Sequence, residues 1–295
     1  MRYLHKLLLT ALTLHLALST AAAQQTTYTK ETITVEYAGF DGNVDIYRPG
    51  NLSSAGVAII AHGFARSRIR HGDLGRALAE AGVTAVIPDL PTVKDLWGNG
   101  NAIVDLVEKL ASGAFGPLPS DRSHLVLIGT SAGGLATVLA AAKLPGLAGW
   151  IGLDPVDRTG TGTEAAAQLA APAVVLLGGA SSCNLFGSGR SIARALPNLV
   201  RTTAWKEASH CDFEDPTNNF CRVLCGNSSA KMQARIRMET VHATLELLGM
   251  AAARLEAMRP PASPVTFEAV GPPIPEPAPE TPLVPESPSG PDPSQ

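Results

Sequence analysis

The chain of 295 residues carries little net charge and no concentration of charge of one sign. Its formal net charge is −3, and no stripe of lysine and arginine runs through it. Proteins that bind nucleic acid need such a basic surface, so the sequence argues against that class of partner. No internal repeat is evident either, and the length suits one large domain with a single core.

Long apolar runs are equally scarce, and the best candidate lies at the start. Arg2 and Lys6 precede an apolar segment over 7–18, and a run of three alanines ends at Ala23. This order of basic, apolar and small residues predicts a secretory signal peptide over 1–23. The apolar segment is short for a membrane span, and no later stretch is a better candidate. We therefore expect a secreted or periplasmic protein with no stable membrane span.

Proline is sparse through most of the chain and dense at its end. Thirteen of the 23 prolines follow Arg259, together with five acidic residues. Proline removes backbone donors and blocks both helix and sheet, so we expect 259–295 to be a disordered tail. Residues 24–258 are then expected to form the one folded domain.

Only four cysteines occur, and all lie in one late stretch: Cys183, Cys211, Cys221 and Cys225. An even number in an exported chain predicts two disulfides, for which three pairings are possible. We expect Cys183 to pair with Cys211 and Cys221 to pair with Cys225. Structural zinc sites usually show regularly spaced ligand pairs, which this stretch lacks. No metal or organic cofactor is expected.

Short apolar runs rich in β-branched residues alternate with helical patterns along the domain. The predicted strands are Thr32–Tyr37, Val44–Tyr47, Val57–Ala61, Val83–Pro88, Leu125–Gly129, Trp150–Leu153, Ala173–Gly178 and Val200–Trp205. The predicted helices are His71–Ala81, Asn101–Ala111, Ala132–Lys143, Glu164–Leu169, Ser188–Leu196 and Lys231–Ala257. The later strands lack polar alternation, which predicts a mostly parallel sheet with helices on both faces. The first two are more polar and predict an antiparallel edge hairpin, with Gly42 and Asn43 near its turn.

One pentapeptide is informative because of its surroundings. Residues 129–133 read Gly-Thr-Ser-Ala-Gly, after an apolar run over 124–128 and before a helix of small residues. A serine raised on so tight a turn needs almost no side chain two positions away on each side, and glycine meets that need. The order of strand, turn and helix predicts that Ser131 is the nucleophile of a serine hydrolase. Eight strands with this turn after the fifth indicate the α/β-hydrolase fold.

A serine nucleophile needs a base, and in this fold the base follows the last strand. Of seven histidines, His210 alone lies in a loop at that position, so it is the predicted base. His62 precedes the serine in the chain and is expected to be structural.

The acid that orients the base should lie between the serine and the histidine in the chain. The segment after the seventh strand, 178–184, contains no carboxylate, whereas Asp154 directly follows the sixth strand. Its side chain should therefore emerge beside Ser131 at the carboxyl edge of the sheet. Asp157 is the alternative, and Asp212 lies too close to His210 along the chain to orient it well.

Two backbone N–H groups are expected to bind the oxyanion of the reaction intermediate. One belongs to Ala132, directly after the serine, and the other to Phe64, in the loop after the third strand. Four aromatic side chains near loops at this edge are candidates for an apolar substrate pocket. They are Phe64, Phe186, Trp205 and Phe213.

Several of these segments together resemble the chlorophyllase-like branch of the α/β-hydrolases. The segments are His62-Gly63-Phe64, 82–89, the serine turn, Leu153-Asp154-Pro155-Val156-Asp157 and Ser209-His210-Cys211-Asp212-Phe213. The resemblance spans 57–215 and implies Asp154 as the acid and His210 as the base. The chain is also similar to secreted cutinase-like polyester hydrolases in its Gly63-Phe64 loop and in the cysteine after the histidine. Ala132 stands where plant chlorophyllases have arginine, which argues against chlorophyll as the substrate.

Together these observations predict a secreted carboxylic ester hydrolase that works through Ser131, His210 and Asp154. The substrate is expected to be a small-molecule or polymeric ester, and the protein a monomer. A lactonase or a peptidase could use the same three residues. A non-catalytic protein that binds a ligand in the same pocket is the alternative from another class.

Overall fold

A computed structural model describes residues 28–50, 53–92, 95–119 and 121–250. The predicted signal peptide over 1–23 and the predicted tail over 259–295 lie outside the described residues. Eight strands form one sheet in the order β1-β2-β4-β3-β5-β6-β7-β8. They are β1 (Tyr28–Tyr37), β2 (Phe40–Pro49), β3 (Val57–Ala61), β4 (Thr84–Pro88), β5 (Leu125–Thr130), β6 (Gly149–Leu153), β7 (Ala173–Leu177) and β8 (Leu199–Ala204). Strands β3 to β8 run parallel, and β2 is antiparallel to both β1 and β4.

Helices cover both faces of the sheet. They are α1 (Gly72–Glu80), α2 (Leu96–Ala111), α3 (Ala132–Ala141), α4 (Thr161–Ala167), α5 (Gly189–Ala195), α6 (Asn219–Cys225) and α7 (Ala230–Leu247). Leu78 of α1 and Ile236 of α7 belong to the hydrophobic core on one face. Helices α2 to α5 contribute to the core on the other face. In the described part of the chain, no helix is long and apolar enough to cross a membrane.

The central strands explain why the sheet is parallel. Strands β3 to β7 are buried along their whole length, and neighbouring residues such as Ile59 and Ile60 enter opposite cores. A strand buried on both faces must be apolar at every position, as the sequence pattern predicted. The predicted α/β-hydrolase fold, with an eight-stranded and mostly parallel sheet, is therefore confirmed.

The edge hairpin is present, but the predicted position of its turn is wrong. Strands β1 and β2 are joined at Ala38 and Gly39, whose φ angles are +51° and +71°. Two-residue hairpin loops favour positive φ at these positions because they match the twist of the strands. Gly42 instead lies inside β2, where a Cβ would overlap the ring of Tyr37. That glycine makes room for an aromatic side chain across the hairpin.

The helices differ from their predicted bounds mainly at the ends. Helix α2 begins at Leu96 because the Asp95 side chain accepts a hydrogen bond from the N–H of Gly98 at 2.8 Å. Helix α7 ends at Leu247, two residues before Gly249, whose φ is +68°. Positive φ at glycine is a common way for a helix to end. Residues 251–257 of the predicted last helix lie outside the described part. Helix α6 was not predicted.

Candidate active site

Strand β5 and helix α3 meet at Ser131, whose backbone has φ +55° and ψ −122°. A residue other than glycine rarely adopts positive φ, so this turn is strained. Gly129 and Gly133 permit it, because a Cβ on Gly129 would overlap the carbonyl of Gly133. A Cβ on Gly133 would in turn overlap two carbonyl groups at the end of β3. The backbone thus gives a physical reason for both glycines of the pentapeptide.

Asp154 and His210 are joined by a short, buried hydrogen bond. Oδ2 of Asp154 lies 2.6 Å from Nδ1 of His210. The other carboxylate oxygen, Oδ1, accepts the N–H of Gly178 at 3.0 Å. A proton on Nδ1 that is donated to Asp154 leaves Nε2 free to accept one. Ser131 and His210 line the same cavity. The structure therefore brings together the predicted nucleophile, base and acid.

The loop after β7 holds the Asp154 carboxylate through Asn184, which sequence reasoning missed. The buried Asn184 amide nitrogen lies 3.1 Å from Oδ2 and 3.4 Å from Oδ1 of Asp154, and it donates to the carbonyl of Gly179 at 2.8 Å. Its amide oxygen accepts the N–H groups of Ser181 and Gly187. This loop contains no carboxylate, and an asparagine among other small polar residues does not by itself indicate a contact with Asp154.

The two other aspartates considered as acids cap local structure. Asp157 accepts the N–H groups of Gly160 and Thr163, at 2.9 and 2.8 Å, and so caps the start of α4. Asp212 accepts the N–H of Ser209 through Oδ2 at 2.8 Å, across a 3₁₀ turn over 210–213. Its other oxygen accepts the N–H of Ser229 at 2.7 Å. Both carboxylates fix backbone segments beside the site.

The loop after β3 brings Phe64 to the nucleophile. Phe64 and Ala132 line one narrow pocket, which shares Gly63 and Phe64 with the main cavity. His62 holds this loop, since its Nε2 accepts the N–H of Leu90 at 2.9 Å and its Nδ1 lies 2.9 Å from the carbonyl of Gly63. Burial lowers the pKa of His62, which favours the neutral ring that these two contacts require.

The cavity beside Ser131 has a volume of about 230 Å³ and holds one ion pair. Arg66 contacts Glu214 through two hydrogen bonds, of 2.6 and 2.5 Å, and both side chains are largely buried. Arg66 also donates to Asn218 at 3.0 Å. This pair joins the loop after β3 to the loop that carries His210. The opposite charges of Arg66 and Glu214 therefore balance each other within the cavity.

Helix α6 and two disulfides form one wall of the cavity, and the pairing that we expected is wrong. Cys183 is bonded to Cys225, and Cys211 to Cys221. Cys221 and Cys225 lie one turn apart on α6, so their side chains share a face and each can reach a different loop. The sulfurs of Cys211, Cys221 and Cys225 lie within 4.8 Å of one another. In disulfides they are not the thiolates that a metal ion would need.

The four predicted pocket aromatics have different environments. Phe64 lines the cavity. Phe186 lies on the loop after β7 and is exposed. Trp205 and Phe213 are only 2% and 3% exposed and belong to the core under α1 and α7. A Cβ on Gly178 would lie 3.0 Å from the Phe213 ring and 3.3 Å from Asp154, so Phe213 packs near the acid. Among the described residues, Phe220 and Leu224 line the cavity instead.

Comparison with known proteins supports the fold. No protein-family model and no curated protein matches the chain. Solved structures match in 1136 chains, so the fold is widespread. One of them is dienelactone hydrolase from Anabaena variabilis, with a TM-score of 0.53 and 20% sequence identity. The match covers 64% of this chain and 90% of that one.

Proposed function

We propose that the protein is an exported serine hydrolase of carboxylic esters. The observation that carries this proposal is the 2.6 Å hydrogen bond between His210 and the buried Asp154, beside a cavity that Ser131 shares. A strained backbone conformation brings no advantage to a serine with a purely structural role. At a nucleophile, the same conformation places the hydroxyl at the tip of the turn, where it can meet a substrate. Along the chain the serine comes first, the carboxylate second and the imidazole third, and each follows a strand of the sheet. This is the arrangement of a site for acyl transfer in this fold.

Each residue has a distinct role in the proposed reaction. His210 Nε2 takes the proton of Ser131 as its Oγ attacks the ester carbonyl, and later gives that proton to the leaving alcohol. Asp154 orients the ring and stabilises its positive charge. The N–H groups of Ala132 and Phe64 stabilise the oxyanion, since Ala132 is the first residue of α3 and its N–H has no partner within the helix. Water then hydrolyses the acyl-enzyme by the same steps.

The cavity favours an uncharged substrate. Its walls include Phe64, Phe220 and Leu224, and the charge of Arg66 is balanced by Glu214. A charged substrate group would lose water here without gaining a free partner. The chlorophyllase-like and cutinase-like resemblances agree with an apolar ester. A lactone is a cyclic ester that the same residues would open, and the name of the structural neighbour makes lactones part of the substrate panel.

Export is proposed from two features. Residues 1–23 have the order of a signal peptide, and two disulfides join the loops around the cavity. Disulfides persist mainly in the periplasm and outside the cell. Finding the protein in the cytoplasm with its signal sequence intact would contradict this part of the proposal.

The decisive experiment is hydrolysis of p-nitrophenyl acetate, butyrate and octanoate by the mature protein beside Ser131→Ala. We expect the substitution to lower kcat by about 10³-fold or more, because the acyl-enzyme of the proposed reaction forms on Ser131. Ser123→Ala is the matched control, since Ser123 is exposed and precedes β5, at the opposite end of the strand from the turn. Full turnover by Ser131→Ala would show that another residue is the nucleophile. A folded wild type that hydrolyses none of these esters, nor a lactone, would favour a binding protein.

A further inference from the structure

Helix α6 exposes an apolar face, although a surface helix usually presents polar residues to solvent. Phe220, Val223 and Leu224 occupy positions i, i+3 and i+4, so they share one face of the helix. They are 60%, 84% and 57% exposed. The charged residue of this helix, Arg222, donates hydrogen bonds to Asn219 and Ser228 nearby. One exposed face of α6 is therefore formed by three apolar side chains.

Three further exposed apolar side chains lie on or next to the two other segments that line the cavity, at 63–66 and Cys183. Phe64 is 62% exposed, and Leu185 and Phe186, on the loop after β7, are 38% and 78% exposed. We call the whole set the apolar rim: Phe64, Leu185, Phe186, Phe220, Val223 and Leu224. Of the ten large apolar residues that are exposed in the described part of the chain, these six lie on or next to three segments that line the cavity, 63–66, the loop at Cys183 and 220–225. Single exposed apolar residues are ordinary, whereas a cluster indicates a binding surface.

The position of the rim restricts what can cover it. Phe64, Phe220 and Leu224 line the cavity that holds Ser131. The other rim residues lie within three positions of Cys183 or Cys225, and the bond between these cysteines joins the loop after β7 to α6. Anything bound across the rim therefore also covers the cavity mouth. A permanent protein partner there would close the site, whereas a substrate surface would place its own esters at the mouth.

We propose that the apolar rim docks the protein onto the surface of an aggregated, uncharged ester, with the cavity facing that surface. This inference rests on the proposed function. Each rim side chain that leaves water on docking contributes favourably. Two disulfides hold α6 in place before contact, so docking does not require the helix to be ordered first. The rim thus defines the substrate as one whose esters are presented at an apolar interface.

The test measures adsorption separately from turnover. Ser131→Ala protein is mixed with triolein emulsion droplets, and the fraction that floats with the droplets is measured. Phe186→Ser with Val223→Ser is then added to the same background; both side chains are largely exposed, so their loss should cost little stability. We expect the partition coefficient to fall about tenfold, because two large apolar contacts with the droplet are lost. Ile69→Ser with Val200→Ser, two exposed apolar residues outside the rim, is the matched control and should change it less than about twofold.

Three results would overturn the proposal. The rim and control variants could adsorb equally, or the parent protein could fail to float. Sedimentation velocity could also show a dimer that the rim substitutions dissociate, which would make a second copy the occupant. Turnover of soluble p-nitrophenyl acetate by the wild type is measured in parallel. Adsorption through the rim without any turnover would contradict the proposed function and leave the docking surface established.

Discussion

Two aspartates, three positions apart after β6, have different contacts in the structure. Asp154 contacts His210 and Asn184, whereas Asp157 caps α4. We expect Asp154→Asn to lower kcat on p-nitrophenyl butyrate by about 10³- to 10⁴-fold, because an amide cannot stabilise the protonated ring in the same way. Asp157→Asn is the matched control and should affect thermal stability more than kcat. Equal losses of kcat in the two variants would show that Asp154 is not the orienting acid.

Asn184 is expected to act as a positioning residue for Asp154. Asn184→Ala removes a donor to the carboxylate and leaves groups of the loop unpaired, each at a cost of about 1–3 kcal/mol where buried. We expect kcat to fall about tenfold or more, with KM nearly unchanged, at a temperature where the variant remains folded. Asn198→Ala, which loses one exposed hydrogen bond to the carbonyl of Ala170, is the control. A loss of stability with kcat unchanged would leave Asn184 a purely structural role.

At the residue scale, the sequence was sufficient to predict the residues that the structure brings together, but not those that hold them. Ser131, Asp154 and His210 follow from chain order and strand ends, which a single sequence displays. Asn184 and the Arg66–Glu214 pair depend on contacts between loops that are distant in the chain. Asparagine, arginine and glutamate are ordinary in surface loops, so their presence did not indicate burial.

At the scale of elements, helix α6 depends on its two disulfides. It has seven residues, and of these only Cys221 is buried. So short a helix is marginal by itself and gains little from packing. The bonds to Cys183 and Cys211 fix it against the loops after β7 and β8. We expect a non-reducing peptide map of the secreted protein to show these two pairs. Any other pairing would mean that α6 is not linked to these two loops in this way.

Removing each bond should have a distinct effect on stability. The bonds link residues 42 and 10 positions apart. Chain entropy predicts that losing the longer link costs about 4 kcal/mol and losing the shorter about 3 kcal/mol. Urea unfolding of Cys183→Ser with Cys225→Ser, and of Cys211→Ser with Cys221→Ser, measures both. Losses near zero for both variants would contradict the chain-entropy prediction for these two bonds.

Those substitutions should also separate substrate binding from turnover. Cys183, Cys221 and Cys225 line the cavity, so one bond has both of its cysteines in the wall, whereas the other bond also holds Cys211, which follows His210 directly. We expect loss of the Cys183–Cys225 bond to raise KM mainly, because the wall loosens. Loss of the Cys211–Cys221 bond should lower kcat mainly, because it frees the loop of His210. The same change in both parameters for the two variants would contradict this division.

The sequence pattern was sufficient to predict the central strands but not helix α6. Strands β3 to β7 are apolar throughout and were predicted within a residue or two, because burial on both faces leaves a continuous pattern. Helix α6 presents its apolar residues outward and is covalently fixed, so its pattern does not resemble a helix that packs through an apolar stripe. The disulfide pairing depended on that unpredicted helix, which is why spacing along the chain led to the wrong pairs.

At the scale of the whole molecule, a buried histidine connects stability to pH. His71 lies at the start of α1, beneath the 3₁₀ turn that begins at His210, in a small pocket shared with Asp212 and Phe213. Within the described residues, its Nε2 has no hydrogen-bond partner. Burial lowers the pKa of His71 to about 3, and the positive charges of Arg66 and Arg70 act in the same direction. The ring therefore stays neutral in the folded protein throughout the mildly acidic range.

The direction of the pH effect follows from proton uptake on unfolding. A histidine exposed in the unfolded chain has a pKa of about 6.5, so between about pH 6.5 and 3 the unfolded chain binds a proton that the folded protein does not. The free energy of unfolding must fall as the pH is lowered through this range, by up to about 1.4 kcal/mol per pH unit for this one group. The lowered pKa of His62 acts in the same sense.

Replacing the ring should therefore flatten the acid side of the stability curve. We expect His71→Leu to unfold with a free energy that depends less steeply on pH between about pH 6.5 and 4, by up to about 1.4 kcal/mol per pH unit. Urea unfolding of both proteins at half-unit steps measures the slopes, and the difference at pH 7.5 gives the effect of packing alone. Parallel curves would mean that His71 is protonated in the folded state or that its pocket admits water. A flattened curve would show that acid weakens the protein through the face that supports the loop of His210.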